Sequence, residues 1–102
     1  MRTLRFTFDA EATTIKPTRI GVVASGDLEI LVDDDGTPGI ATVRVRTSID
    51  GFDSVWEQVL QRFFAQNRIG GRWELNDFGA TPGVVSLRLR QAAQAALIGE
   101  SN

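Results

Sequence analysis

Residues 40–64, IATVRVRTSIDGFDSVWEQVLQRFF, contain two different periodicities of apolar residues in one continuous segment. The first part, residues 40–48, is apolar at alternate positions, which is typical of a strand with one buried and one solvent-facing side. The second part has apolar residues at helical spacing: Phe52, Val55, Trp56, Val59, Leu60, Phe63 and Phe64. A strand followed by an amphipathic helix predicts a domain built from both a sheet and helices.

Candidate end signals flank the predicted helix. Asp50 is the predicted N-cap, and Asp53 would add favourable negative charge in the first turn. Arg68 and the pair Gly70-Gly71 suit the C-terminal end. If buried, each large apolar side chain contributes about 1.5–3 kcal/mol before chain entropy is subtracted. We therefore expect this helix to lie on the apolar sheet face and to supply much of the core.

A first strand is predicted near the N-terminus, where apolar residues alternate with Thr and Arg: Leu4, Phe6 and Phe8. Residues 9–18 lack a clear period and contain Pro17, so they are predicted to form a surface connection.

A hairpin is predicted next, with strands 19–24 and 27–32 and with Ser25-Gly26 at its bend. Glycine tolerates the positive φ that a two-residue hairpin loop requires. Residues 33–39, DDDGTPG, form a second strong turn signal before the strand at 40–48. The polar side of these strands favours antiparallel pairing.

Two segments follow the central helix. Residues 72–76 alternate Trp73 and Leu75 with polar residues and are predicted to form a fifth strand. Residues 84–90 alternate as a strand would, but Thr81-Pro82 is a good N-cap and N1 pair, and residues 91–97 are rich in Ala and Gln. We predict a helix from Pro82 to Leu97. One observation argues against this helix: Leu87 would lie on the face opposite the apolar stripe.

Together these elements predict an α+β fold. The expected architecture is a two-layer sandwich of a mainly antiparallel sheet, about five strands, with two helices on one face, in the order β-β-β-β-α-β-α. A chain of 102 residues without repeats or linkers fits one domain over residues 1–102.

The composition excludes several classes of function. The formal net charge of −2 gives no bulk attraction to nucleic acid, although Arg44 with Arg46 and Arg88 with Arg90 form local basic pairs. No stretch of about 18 apolar residues could span a bilayer, and no signal peptide is visible. The absence of cysteine is compatible with the cytoplasm, which is the predicted localisation.

Catalytic and metal-binding constellations are also missing. The chain has no His and no Cys, so the usual catalytic base and a thiol nucleophile are absent. No pair of carboxylates has a spacing that suggests acid-base catalysis. Asp33-Asp34-Asp35 precedes a glycine as in part of a calcium loop, but the downstream Glu is missing. We predict no catalytic residue and no metal site.

Ser25 lies in VVASGDLEILV (residues 22–32), where the predicted hairpin must turn. Its hydroxyl is expected to face solvent, and an exposed serine at a fixed turn is one of few places in this chain where a covalent group could be attached. A serine at a turn is also simply a good turn former, and Asp27 and Glu29 could be ordinary solvent-facing strand residues.

The segment at residues 22–32 and a second one, NDFGATPGVVSLRLR (residues 76–90), resemble the acyl carrier (delta) subunit of malonate decarboxylase. The resemblance also covers LRFTF near the N-terminus, VRTSIDG (residues 45–51) and Trp56-Glu57. It implies that Ser25 carries 2'-(5''-phosphoribosyl)-3'-dephospho-CoA through a phosphodiester bond, and that the thiol of this group carries acetyl and malonyl units.

The resemblance further implies a non-catalytic carrier in a biotin-independent enzyme complex. Its implied partners are the acyl-transferase and decarboxylase subunits, a prosthetic-group transferase and a malonyl-transferase. Asp27 and Glu29 are hypothesised to meet basic patches on these partners. Two alternatives stay open: the acyl carrier (gamma) subunit of citrate lyase, which uses the same group, and a non-covalent adaptor that binds a protein through its sheet or the Arg44/Arg46 face.

Overall fold

The computed structural model describes residues 1–11, 15–34 and 36–97. It contains five strands and two helices in the predicted order. The elements are β1 (Arg2–Asp9), β2 (Thr18–Ile20), β3 (Leu28–Asp33), β4 (Ile40–Thr47), α1 (Asp53–Gln66), β5 (Gly71–Asp77) and α2 (Pro82–Leu97). The predicted α+β class and element order are confirmed.

The five strands form a single sheet in the order β1-β4-β5-β3-β2. Three of the four neighbouring pairs are antiparallel, and β4 and β5 are parallel. A parallel pair needs a long crossover connection, and α1 lies between β4 and β5 in sequence. The helix predicted after residue 52 therefore provides that crossover and lies on the apolar face.

The core lies between this face and both helices. An aromatic cluster occupies its centre: the Phe64 ring lies 5.0 Å from Phe8 and 5.1 Å from Trp73, and Phe63 lies 5.8 Å from Trp73. Trp73 is fully buried, and its indole Nε1 donates to the Gly70 carbonyl oxygen at 3.1 Å. The two pairs with Trp73 are packed edge to face, whereas the Phe8 and Phe64 rings are stacked, and both are favourable ring arrangements.

Residues 84–90, whose alternation would also fit a strand, are helical. Thr81 caps α2, because its Oγ1 accepts a hydrogen bond from Val84 N at 3.2 Å. Val85 and Leu89 are buried, whereas Leu87 is 42% exposed. The position of Leu87 opposite the stripe is thus a solvent-facing helix position.

The prediction that Asp53 places negative charge in the first turn of α1 is confirmed, but Asp50 as its N-cap and Arg68 at its C-terminal end are wrong. The N-cap position is Phe52, without a side-chain cap, and Asp50 instead lies 3.7 Å from the Nε of Arg2. Arg2 also donates to both carboxylate oxygens of Asp53, at 2.8 and 2.7 Å. Arg68 lies beyond the last turn of the helix, which ends at Gln66. Gly51, with a φ of +86°, and the N-cap Phe52 separate Asp50 from the first turn, so Asp50 lies too early in the chain to cap α1.

The connection at residues 9–18 is not entirely at the surface. Ile15 is 3% exposed and belongs to the core, and Lys16 N donates to the Ala96 carbonyl oxygen at 3.0 Å. Residues 12–14 and Asp35, one of the three aspartates of the second turn, lie outside the described residues. Among the residues that are described, no group of three potential metal-ligating side chains is found. None of the described helices is long and apolar enough to cross a membrane.

Candidate functional site

Ser25 lies in a loop between β2 and β3, and this loop differs from the predicted hairpin. Strand β2 ends at Ile20, so residues 21–27 form a seven-residue connection in place of a two-residue bend. Val22 and Val23, which were predicted to continue the strand, are 55% and 60% exposed. The predicted strand 19–24 is therefore wrong beyond Ile20.

Gly21 explains why the strand stops. Its φ is +85°, and a Cβ at this position would overlap the carbonyl oxygen of Leu28 and lie 3.0 Å from the carbonyl carbon. Only glycine adopts this conformation at such close approach without strain. The backbone consequently leaves the sheet at Gly21 although the two residues that follow have β-branched side chains.

The tip of the loop is a tight turn with Ser25 at its second position. Asp27 N donates to the Ala24 carbonyl oxygen at 3.1 Å, and Gly26 has a φ of +82°, as the third position of a type II turn requires. Ser25 is exposed. A Cβ built on Gly26 would meet no atom within 4 Å other than those of its chain neighbours, so the side of the turn to which it would point is open. The predicted exposure of Ser25 is confirmed.

A second loop holds this turn in place. Gly26 N donates to the Phe78 carbonyl oxygen at 2.7 Å, and Phe78 N donates to the Asp27 carbonyl oxygen at 3.0 Å. The loop after β5 is itself ordered by Asp77, which is 4% exposed and accepts hydrogen bonds from Gly79 N and Ala80 N at 3.1 and 2.9 Å. The other oxygen of Asp77 accepts from Thr47 Oγ1 at 2.8 Å. Ser25 therefore stands on a network that reaches β4.

Asp27 is engaged within the molecule. Its two oxygens accept hydrogen bonds from Nε and Nη2 of Arg88, both at 2.9 Å, and Oδ2 also lies 3.3 Å from Val22 N. The bonds from Arg88 are the main cause of a lowered Asp27 pKa, with a smaller contribution from the Leu28 N–H. The same contact raises the pKa of Arg88. Sequence reasoning missed this pair, because no local pattern joins residues that are 61 positions apart.

Glu29 is also held internally, and the expectation that it faces solvent is wrong. It is 7% exposed, on the sheet face opposite the helices. Its Oε1 accepts from Asn76 Nδ2 at 2.9 Å, and its Oε2 accepts from Arg19 Nη2 at 2.7 Å. Asn76 is the direct cross-strand partner of Glu29, so the register of β3 and β5 places the two side chains together.

The Arg44/Arg46 face lies on the open side of the sheet, away from the helices. Arg44 pairs with Glu74, which is its register partner on β5. Arg5 is the register partner of Arg44 on β1, and Arg46 is exposed. In the sheet order one strand, β5, separates β4 from β3, which follows the loop that carries Ser25.

A small α+β domain with an exposed serine hydroxyl on an anchored turn is compatible with a carrier protein. The comparison with known families agrees with this class. Residues 15–96 match the sequence model described as malonate decarboxylase delta subunit (MdcD), and the chain belongs to this family.

Named relatives and a solved structure agree with that family. The chain is 42% identical to the malonate decarboxylase acyl carrier protein of Stenotrophomonas maltophilia K279a, over 98% of each chain. It is 46% identical to the protein of the same name from Burkholderia cepacia, over 88% of this chain and 85% of the relative. A chain in the crystal structure of a Pseudomonas malonate decarboxylase hetero-tetramer in complex with malonate is 41% identical, with a TM-score of 0.86 over 93% of this chain and 98% of that one.

Proposed function

We propose that this chain is the acyl carrier subunit of a biotin-independent malonate decarboxylase, and that Ser25 is the attachment point of its prosthetic group. The group is 2'-(5''-phosphoribosyl)-3'-dephospho-CoA, joined to Ser25 Oγ by a phosphodiester bond. When bound, it supplies a thiol that carries acetyl and malonyl units. The chain has no cysteine, so it offers no thiol of its own for a thioester.

The observation that carries this proposal is the geometry of the Ser25 turn. A transferase must bring a bulky nucleotide to the serine oxygen, and this needs a hydroxyl that is exposed and surrounded by open space. Ser25 is exposed, and so are its two neighbours in the turn, Ala24 and Gly26. Among the described residues, no hydrogen bond occupies the Ser25 hydroxyl. The residues present therefore fit the group.

The role of the chain in the reaction is to hold the acyl thioester and to deliver it to the sites of its partners. With no His or Cys, it has neither the usual base nor a thiol nucleophile, so we infer that bond making and breaking belong to its partners. These are the acyl-transferase and decarboxylase subunits, with the prosthetic-group transferase and a malonyl-transferase acting on the carrier. A tethered thioester reaches their sites at high effective concentration, which replaces repeated capture from solution.

Docking of partner proteins through Asp27 and Glu29 stays a prediction, with the added condition that both carboxylates are already paired with arginines of this chain. Both carboxylates already have intramolecular partners, Arg88 and Arg19. A basic patch on a partner would therefore meet each carboxylate together with its paired arginine, and not a free carboxylate. Replacing Asp27 with Asn and Glu29 with Gln should slow priming or transfer at low salt, and unchanged rates would contradict a docking role.

The proposal is tested by intact mass after coexpression with the prosthetic-group transferase. We expect the mass of the nucleotide arm on the wild type and none on Ser25→Ala. Ser48→Ala is the matched control, because Ser48 is also exposed but lies after β4. Modification of Ser25→Ala would overturn the assignment of the site. An unmodified wild type would favour the non-covalent adaptor, whereas the family match already favours malonate decarboxylase over the citrate lyase carrier.

A further inference from the structure

The two sequence segments that carry the family resemblance meet at the Ser25 loop. Asp27 belongs to the first segment, and Phe78 and Arg88 belong to the second. Phe78 pairs with the loop through two backbone hydrogen bonds, at 2.7 and 3.0 Å. Arg88 reaches the same loop from α2 with two side-chain hydrogen bonds.

Asp27 links three parts of the structure at once. Its carboxylate accepts two hydrogen bonds from Arg88 of α2. The same carboxylate accepts a hydrogen bond from Val22 N, near the start of the loop at residues 21–27. Its backbone N–H closes the turn on Ala24. The loop from Val22 to Asp27 is thus tied into a ring with Ser25 near its outermost point.

Arg88 is itself held in position. Its Nη1 donates to Gln91 Oε1 at 2.9 Å, one turn along α2, and its side chain is 27% exposed. The Asp27 side chain is 13% exposed. A bidentate arginine-carboxylate contact fixes both distance and orientation, which a single contact does not. The neighbouring Leu89 packs in the core, so the helix that carries Arg88 is firmly seated.

We propose that Arg88 and Asp27 form a positioning pair that holds the Ser25 turn in the conformation that the prosthetic-group transferase recognises. This inference rests on the proposed attachment at Ser25. Neither residue touches the reacting oxygen. They act by ordering the loop before the transferase binds. Because less conformational entropy is then lost on binding, the loop binds its partner at lower entropic cost.

The test compares Arg88→Gln, Asp27→Asn and the double variant for the rate of priming by the transferase, followed by intact mass. We expect each single variant to lose at least tenfold in kcat/KM. We expect the double variant to lose no more than the worse single one, because the two residues act as one unit. Arg88→Lys should fall between wild type and Arg88→Gln, since lysine keeps the charge but not the two-point contact.

A second measurement separates positioning from general destabilisation. Amide hydrogen exchange of Gly26 and Asp27 should accelerate at least tenfold in Arg88→Gln, while exchange of the buried Leu60 amide in α1 stays unchanged. Arg90→Gln is the control, because Arg90 is exposed two residues along the same helix. It should leave both priming and exchange as in the wild type.

The outcomes distinguish this inference from the proposed function. If the wild type is never modified, the attachment at Ser25 fails. If the wild type is primed and Arg88→Gln is primed at the same rate, only the positioning pair is overturned. Losses that multiply in the double variant would also overturn it, since they would mean that Arg88 and Asp27 act separately.

Discussion

Replacing Gly21 with alanine tests whether the strand ends before Ser25 for the reason given above. The substitution introduces a Cβ where φ is +85° and where the carbonyl group of Leu28 leaves no room. Gly26 and Gly51 have nearly the same φ, +82° and +86°, but a Cβ at either would meet nothing within 4 Å. The three alanine variants therefore share one conformational penalty and differ in one steric contact.

The expected magnitudes follow from these two contributions. A left-handed conformation costs a non-glycine residue about 1–2 kcal/mol, which applies to all three variants. Relieving an overlap with well-packed backbone costs about 1–3 kcal/mol more, which applies to Gly21→Ala alone because Leu28 is completely buried at the start of β3. Gly21→Ala should thus lose about 2–5 kcal/mol, out of about 5–15 kcal/mol for a whole domain.

Urea unfolding followed by tryptophan fluorescence measures these losses. Trp56 and Trp73 are 6% and 0% exposed, so their emission reports loss of the core. The slope of unfolding free energy against urea should stay the same in all variants, so that midpoint shifts read directly as stability. A Gly21→Ala variant within about 0.5 kcal/mol of Gly26→Ala would refute the steric explanation of where β2 ends.

Five further substitutions test the packing and electrostatics by the same assay. Leu60→Ala should lose about 2–5 kcal/mol because Leu60 is fully buried, whereas Leu87→Ala, at a 42% exposed position, should stay within about 0.5 kcal/mol of the wild type. Thr47→Val should lose about 1–3 kcal/mol, because it removes the hydroxyl that donates to buried Asp77, and Thr47→Ser should restore most of this loss. The lowered pKa of Asp27 means that its carboxylate stabilises the fold above the ordinary carboxyl pKa of about 3.9, and that this contribution is lost as the pH falls toward the lowered value. Asp27→Asn should therefore lose less stability than the wild type between about pH 5 and pH 3, and an equal loss would contradict the lowered pKa.

The regular elements could be predicted because local periodicity decides which side of a strand or helix is buried. The alternation in residues 40–48 and the stripe from Phe52 to Phe64 each specify one apolar face, and burial of that face follows in the structure except at Phe52, which is 50% exposed at the N-cap position. The α2 helix was predicted for a different reason: a capping threonine and an alanine-rich second half outweighed the alternation around Leu87. In both cases neighbouring residues carried the information.

The errors occur where a single residue or a distant partner decides the conformation. Val22 and Val23 have strong preference for strands, but the backbone at Gly21 turns before they can pair. Asp50 has the right side chain for an N-cap, but α1 begins two residues later, after Gly51 turns the backbone with a φ of +86°. The φ of a single glycine is not visible in a local pattern.

The exposure of Ser25 was predictable for a simple reason, and its anchoring was not. A serine next to a glycine between two apolar segments faces solvent in almost any hairpin, so even a wrong loop length leaves it exposed. The anchoring depends on Phe78 and Arg88, which reach the loop only because β5 lies beside β3 and α2 follows β5 in the chain. A carrier needs both properties at once. If Ser25 is the attachment point proposed above, exposure lets a transferase reach it, and anchoring keeps it in one place relative to the surface that the transferase binds, so the β5-α2 unit would contribute to the site through Phe78 and Arg88.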